Sequence, residues 1–200
     1  MLVVEEYRRE SGIPIIRTFI ALPVAGSAVE AVRAMIGEME EAGVSAKWVE
    51  PWNMHLTLKF LGDLPRTRIQ PLADAVNRAV QGEPRLEIAL RGAGAFPSPA
   101  RPRVLWVGVR EGADRVARLS RSIDESTVAS GFAPADKAFR PHLTIGRVRG
   151  ESAGTRGADV ISRYSDAFWG TVSVDCIHVV ASVLKPSGPV YTSLARIPLE

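Results

Sequence analysis

His55 and Thr57 stand in "NMHLTLKFLG" (53–62), and His142 and Thr144 stand in "FRPHLTIGRV" (139–148). The chain has three histidines, and two of them open the same word, His-Leu-Thr followed by an aliphatic residue. Eight of the 200 residues are threonine, so chance would put a Thr two places after a given His about 4% of the time in such a composition. The repetition therefore calls for a cause. Imidazole titrates near neutral pH, so two of them can serve as base and acid together. Threonine hydroxyls donate hydrogen bonds without adding charge. A tetrahedral phosphate suits this set. Two hydroxyls hold its non-bridging oxygens, one imidazole activates the entering nucleophile, and the other protonates the departing oxygen. A leaving group built into a strained ring would need no metal for this.

The competing explanation is a pair of buried strand histidines, each bonded to a neighbour. It is the better one for either word alone, whereas the matched pair favours a site. No Cys pair and no His-Glu-x-x-His helix accompanies the histidines, so zinc has no recognised ligand spacing here. A Ser-His nucleophile lacks the Gly-x-Ser-x-Gly turn.

The elements that must position these residues follow from periodicity. A β-branched run at 15–22 reads as a strand. A helix over 25–42 carries Val29, Val32, Ile36 and Met39 at helical spacing and stops at Gly43. Residues 46–49 and 54–60 read as strands around Pro51. Ile69, Leu72, Ala73, Val76 and Val80 mark a second helix, and 85–92 alternates as a strand. The Pro-rich stretch "FPSPARP" (96–102) is expected to be a loop separating two halves. A strand at 103–109, a helix over 113–130 and the second histidine strand follow. The Gly-rich region 150–170 has room for a short helix, and two late strands, 171–184 and 189–197, close the chain.

His142 lies 87 residues after His55. The same offset carries 17–22 onto 104–109, the first helix onto the third, and 86–90 onto 173–177. This predicts a duplicated α/β unit. Because a strand has a period of two, His55 and Thr57 share a face, as do His142 and Thr144. Halves packed about a pseudo-two-fold axis would bring both faces to one cleft.

Composition sets the wider bounds. An apolar fraction of 46% and a charged fraction of 24% are those of an ordinary globular protein. No apolar run approaches the roughly 20 residues of a membrane span, and "MLVVEEYRRESG" does not read as a secretory signal. The lone Cys176 excludes an internal disulfide and suits a reducing cytosol; it is expected to be a buried, inert thiol. Of 25 basic residues 21 are arginine, which permits a phosphate or RNA partner without requiring one.

The chain resembles the two-histidine phosphoesterase superfamily, and within it the RNA 2′,3′-cyclic phosphodiesterases, also called the LigT-like or 2′-5′ RNA ligase family. "RTFIALP", "WVEPWNMHLTLKFLGDL", "RPRVLWVGV", "FRPHLTIGRV" and "SVLKPSGPVY" correspond to that family's blocks in order, from Arg17 onward. Residues 1–14 find no counterpart and read as an extension or a mis-chosen start. The resemblance implies His55 as proton donor to the leaving oxygen and His142 as the acceptor that activates water, with Thr57 and Thr144 binding substrate. The pseudo-symmetry of the pair leaves that order of roles undecided by the residues themselves. The implied reaction hydrolyses an RNA 2′,3′-cyclic phosphate to a 2′-phosphomonoester, with no metal and no other cofactor. A ligase or transesterase running the same site in reverse, and an RNA-binding module without turnover, are the rival readings.

Arg147 matches a recurrent position of the family. Strict alternation turns it away from the cleft, unless a bulge or a strand end turns it in. Asn53 and Lys59 would share the face of His55 on an unbroken strand. His178, with no Thr partner, is expected to be structural; Trp48, Trp52, Phe96 and Trp106 could stack a base, with core packing the expectation for any one of them. The expected fold is α+β: a bilobal duplicated α/β unit, with two mainly antiparallel sheets flanked by helices around a central cleft. It is read as a single catalytic domain over 1–200, with repeats near 15–95 and 103–197 and strands free to exchange between lobes. The protein is expected to be a cytoplasmic monomer that acts on RNA and not on membranes.

Overall fold

The computed structural model describes residues 9–10, 12–149, 153–186 and 188–200. Most of expected segment 1–14 and the start of the Gly-rich region lie outside these residues. Among the described residues, ten strands and four helices follow in the order β1 (Arg9–Glu10), β2 (Ile13–Pro23), α1 (Ser27–Glu41), β3 (Ala46–Trp48), β4 (His55–Pro65), α2 (Ile69–Ala79), β5 (Leu86–Ser98), β6 (Arg101–Val109), α3 (Ala113–Ala129), β7 (His142–Val148), α4 (Ala153–Arg163), β8 (Phe168–Val174), β9 (Cys176–Lys185) and β10 (Gly188–Pro198). Short 3₁₀ turns at Pro51–Asn53 and Arg66–Arg68 lead into β4 and α2.

Helices α1 and α3 end alike, for a reason visible in the sequence. Gly43 and Gly131 adopt positive φ, 77° and 78°, which costs glycine little. Val44 N–H then bonds to Met39 O at 2.9 Å, and Phe132 N–H to Thr127 O at 3.1 Å. These are the long bonds of a Schellman cap, which occupy carbonyls the last turn would leave unpaired. Val44 and Phe132 are both buried against the core.

The sheet runs β10-β9-β2-β4-β7-β6-β5-β8, with β1 beside β2 and β3 beside β7. All the pairings are antiparallel. The two expected sheets meet at the centre, where β4 and β7 register at the pair Leu56↔Leu143. Strand β5 lies beside β6 and β9 beside β2, so a strand from each half completes the other. One face is covered by helices. Val29, Val32 and Ile36 of α1, Leu72 and Val76 of α2, and Val116, Leu119 and Ile123 of α3 pack there with Ile20, Leu22, Leu56, Leu105, Val107 and Leu143. The opposite face carries a small separate cluster, Phe19, Ala21 and Val180 with Tyr191 against it.

Two expectations are corrected. Residues 96–102 do not form a loop between halves: β5 runs to Ser98 and β6 starts at Arg101, so the stretch is a tight hairpin with Pro97 opposite Pro102. Proline is tolerated at ladder positions whose N–H would point out of the pair. The expected strand 171–184 is two strands. It breaks at Asp175, and β8 pairs with β5 while β9 pairs with β2 and β10, far across the sheet. The core residues change parity across the break, from Val172 and Val174 to Ile177 and Val179, but apolar residues fall on both parities beyond it, so the stretch reads in sequence as one continuous strand.

Candidate active site

The pair Leu56↔Leu143 decides the geometry. Both leucines are buried on the helix side. Their neighbours His55, Thr57, His142 and Thr144 therefore lie on the opposite, helix-free face. Continued antiparallel register sets His55 beside Thr144 and Thr57 beside His142. The two histidines are then diagonal neighbours, a relation that spans roughly 7–8 Å between backbones. All four residues are half-buried.

Each imidazole is held the same way. His55 Nδ1 lies 2.6 Å from the carbonyl oxygen of Asn53, and His142 Nδ1 lies 2.7 Å from that of Arg140. A carbonyl only accepts, so each Nδ1 carries the proton and donates it. Nε2 is then left to take up or give a proton in the cleft. The surroundings of the two rings differ. Phe19 stacks on His55 with centroids 4.9 Å apart, and Tyr191 meets it edge-on at 5.3 Å. Phe96 meets His142 edge-on at 5.1 Å. Burial pushes the His55 pKa below its ordinary value, partly offset by the Asn53 carbonyl, which favours the protonated ring.

A β-bulge follows each His-x-Thr. Between the pairs Ala21↔Thr57 and Ile20↔Lys59, Leu58 is the extra residue. Between Trp106↔Thr144 and Leu105↔Gly146 it is Ile145. The bulges sit 87 residues apart, and each shifts the alternation by one place. Lys59 is therefore turned away from the cleft, contrary to the unbroken-strand expectation. It is 3% exposed, its Nζ donates to Thr127 Oγ1 at 2.8 Å, and it pairs with Asp124 Oδ1 at 2.6 Å. The second bulge has the opposite consequence for Arg147. It pairs with Val104, two residues from Trp106 on one face of β6, and so joins Thr144 on the cleft face. Phe60, at the position equivalent to Arg147, lies beside Phe19 and is 63% exposed. Sequence reasoning missed Phe60, although the 87-residue offset pairs it with Arg147.

Asn53 is in the 3₁₀ turn and not on the strand. Its amide donates to Pro189 O at 3.3 Å, tying the turn to the β9–β10 hairpin. His178 is half-buried opposite Ala21, its Nε2 3.3 Å from the buried Cys176 Sγ. Trp48 packs over Gly146, where an added Cβ would meet the indole at 2.7 Å, and Trp106 covers Gly94. Trp52 departs from the core-packing expectation and is 79% exposed. Among the described residues, no three His, Cys, Asp or Glu side chains converge as a set able to hold a metal ion, and no helix is long and apolar enough to cross a membrane.

A mainly antiparallel sheet with two His-x-Thr strands side by side at its centre defines a class of phosphoesterase. The family model for LigT-like phosphoesterases matches residues 22–106 and again 107–191, and the chain belongs to that family. It is 34% identical to a Methanothermobacter thermautotrophicus protein named RNA 2′,3′-cyclic phosphodiesterase, over 90% of this chain and 96% of that one. It is 37% identical to the protein of that name from Archaeoglobus fulgidus, over 89% and 97%. Among solved structures, one from Thermus thermophilus superposes with a TM-score of 0.74 at 27% identity, covering 92% of this chain and 98% of that one. Escherichia coli LigT in its apo form shares the fold, with a TM-score of 0.72 at 24% identity over 92% and 98% of the two chains.

Proposed function

We propose that this protein hydrolyses the 2′,3′-cyclic phosphate at the end of an RNA strand to a 2′-phosphomonoester. The observation that carries the reading is the shared face of the two His-x-Thr strands, with each Nδ1 donating to a carbonyl two residues upstream. His142 Nε2 takes a proton from water as the water oxygen bonds to phosphorus. The bond from phosphorus to the ribose 3′-oxygen breaks, and His55, which enters the step as the imidazolium against the burial that disfavours its charge, gives its Nε2 proton to that oxygen. Thr57 and Thr144 donate to the non-bridging oxygens, and Arg147 supplies positive charge at the same face. His142 takes one proton and His55 gives one in each turnover, and exchange with solvent resets the pair, so the reaction asks for no metal. The two halves, each lending a strand to the other's sheet, form a single catalytic domain on this reading.

The names of the relatives support the substrate class. The test is incubation of a 2′,3′-cyclic nucleotide without ATP and identification of the product by phosphorus NMR. A 2′-phosphomonoester is the expected product. Formation of the 3′-phosphomonoester would overturn the assignment of the leaving oxygen, and tight RNA binding without turnover would overturn the enzymatic reading.

A further inference from the structure

A concavity borders the histidine pair on one side. It is a pocket of about 200 Å³, with the ring of His55 forming part of its wall. It lies over β2, β9 and β10, on the far side of β4 from β7 and His142. Trp52, Phe19 and Tyr191 give it aromatic walls, and Asn53, Ser193 and His178 bring polar groups to its lining.

Trp52 is the unusual member. At 79% exposed it contributes almost nothing to the core, whereas Trp169 is buried and Trp48 and Trp106 are half-buried. It is nonetheless held in place. Its turn is closed by Met54 N–H on Pro51 O at 3.2 Å, and Asn53 ties that turn to Pro189 of the β9–β10 hairpin. A firmly placed, water-exposed indole beside a pocket is suited to stack on a flat ring. Apolar walls with a few polar groups match a nucleobase, whose faces are apolar and whose edge carries donors and acceptors.

The position says which base. The cyclic phosphate of the proposed reaction sits between the two imidazoles, and its ribose is attached there directly. The pocket lies one imidazole further along the face. Two arginines flank the route. Arg17 is exposed and shares a face of β2 with Phe19, and Arg147 has been turned to the cleft face by its bulge. Their charges act on the Tyr191 phenol, against the burial that raises its pKa. Two guanidiniums beside a pocket wall suit the phosphodiester joining one nucleotide to the next.

We infer that this pocket receives the base of the nucleotide preceding the cyclic-phosphate end, stacked on Trp52, so that the enzyme reads at least two nucleotides of an RNA strand. The inference rests on the hydrolytic reading above. Its test compares kcat/KM on a cyclic mononucleotide with kcat/KM on a trinucleotide ending in the same cyclic nucleotide, for the wild type, Trp52→Ala and Trp52→Phe. The wild type should prefer the trinucleotide by about tenfold or more, and Trp52→Ala should cut that ratio by about tenfold, the size expected from losing one base–aromatic stack. The loss should appear in KM, and Trp52→Phe should retain most of the preference. A wild type with no preference, or an unchanged ratio in Trp52→Ala, would overturn the inference. If the wild type hydrolyses neither substrate, the hydrolytic reading fails instead. The pocket is then still tested by the fluorescence of Trp52, which should be quenched by a trinucleotide ending in a 2′-phosphate and not in Trp52→Phe. Absence of that quenching overturns the pocket whatever the activity.

Discussion

The ring of Phe19 lies against that of His55, centroids 4.9 Å apart and planes inclined by 28°. Tyr191 closes a second side of the same imidazole. The aromatic enclosure keeps water from one of the two histidines, and burial disfavours its charged form. Phe19→Ala should therefore raise the His55 pKa toward its ordinary value, followed by NMR titration of the ring. No change in that titration would mean the enclosure does not set the pKa.

The same displacement predicts how stability depends on pH. His55 and His178 both have folded-state pKa values lowered mainly by burial. The unfolded chain then binds more protons than the native one just below the ordinary imidazole value. Stability present above about pH 6.5 should be lost as pH falls through the lower folded values. Urea midpoints at pH 7.5 and pH 5 should show the native state weaker at the lower pH, and the difference should shrink in a His55→Gln, His178→Gln double variant.

His55→Ala and His142→Ala should each lower the rate on a cyclic nucleotide by roughly 10²–10⁴, the usual worth of a general acid or base. The double variant should lose far less than the product of the two, because the pair already fails once either partner is gone. Thr57→Ala and Thr144→Ala should lose less, since each removes a neutral hydrogen bond. The wild-type rate should be bell-shaped in pH, with limbs belonging to the coupled pair. A folded, fully active His142→Ala enzyme would refute the assignment.

Lys59 pairs with Asp124 and Thr127 on the helix side of the sheet. Asp124→Ala should destabilise by about 3 kcal/mol, because it leaves a buried ammonium without its counter-charge. Lys59→Met should cost less, since it removes the charge and keeps the packing. Neither change should appear in KM, which a cleft-facing lysine would alter. Denaturation midpoints and steady-state kinetics on the two variants separate these outcomes.

Activity should survive EDTA, because the proposed proton transfers use the two imidazoles alone. Loss of activity on chelation, restored by one particular metal, would overturn the two-histidine mechanism.

The sequence by itself determined which residues the proposed chemistry uses and much of the frame around them. Period-two alternation places His55 with Thr57 and His142 with Thr144, and helical spacing ending at Gly43 and Gly131 marks α1 and α3. These are local properties, legible because each depends on neighbours a few residues away. Other features depend on the partner strand. Leu58 and Ile145 become bulged residues because β2 and β6 offer one fewer residue opposite them. That shift buries Lys59 on α3 and turns Arg147 and Phe60 to the cleft, the reverse of what alternation predicts. The break at Asp175 and the β5–β6 hairpin are likewise changes of partner, set by strands distant in sequence. Tyr191, from the other end of the chain, reaches His55 because β10 closes the sheet beyond β9 and β2. A period records which residues share a face, whereas register and curvature decide which faces meet.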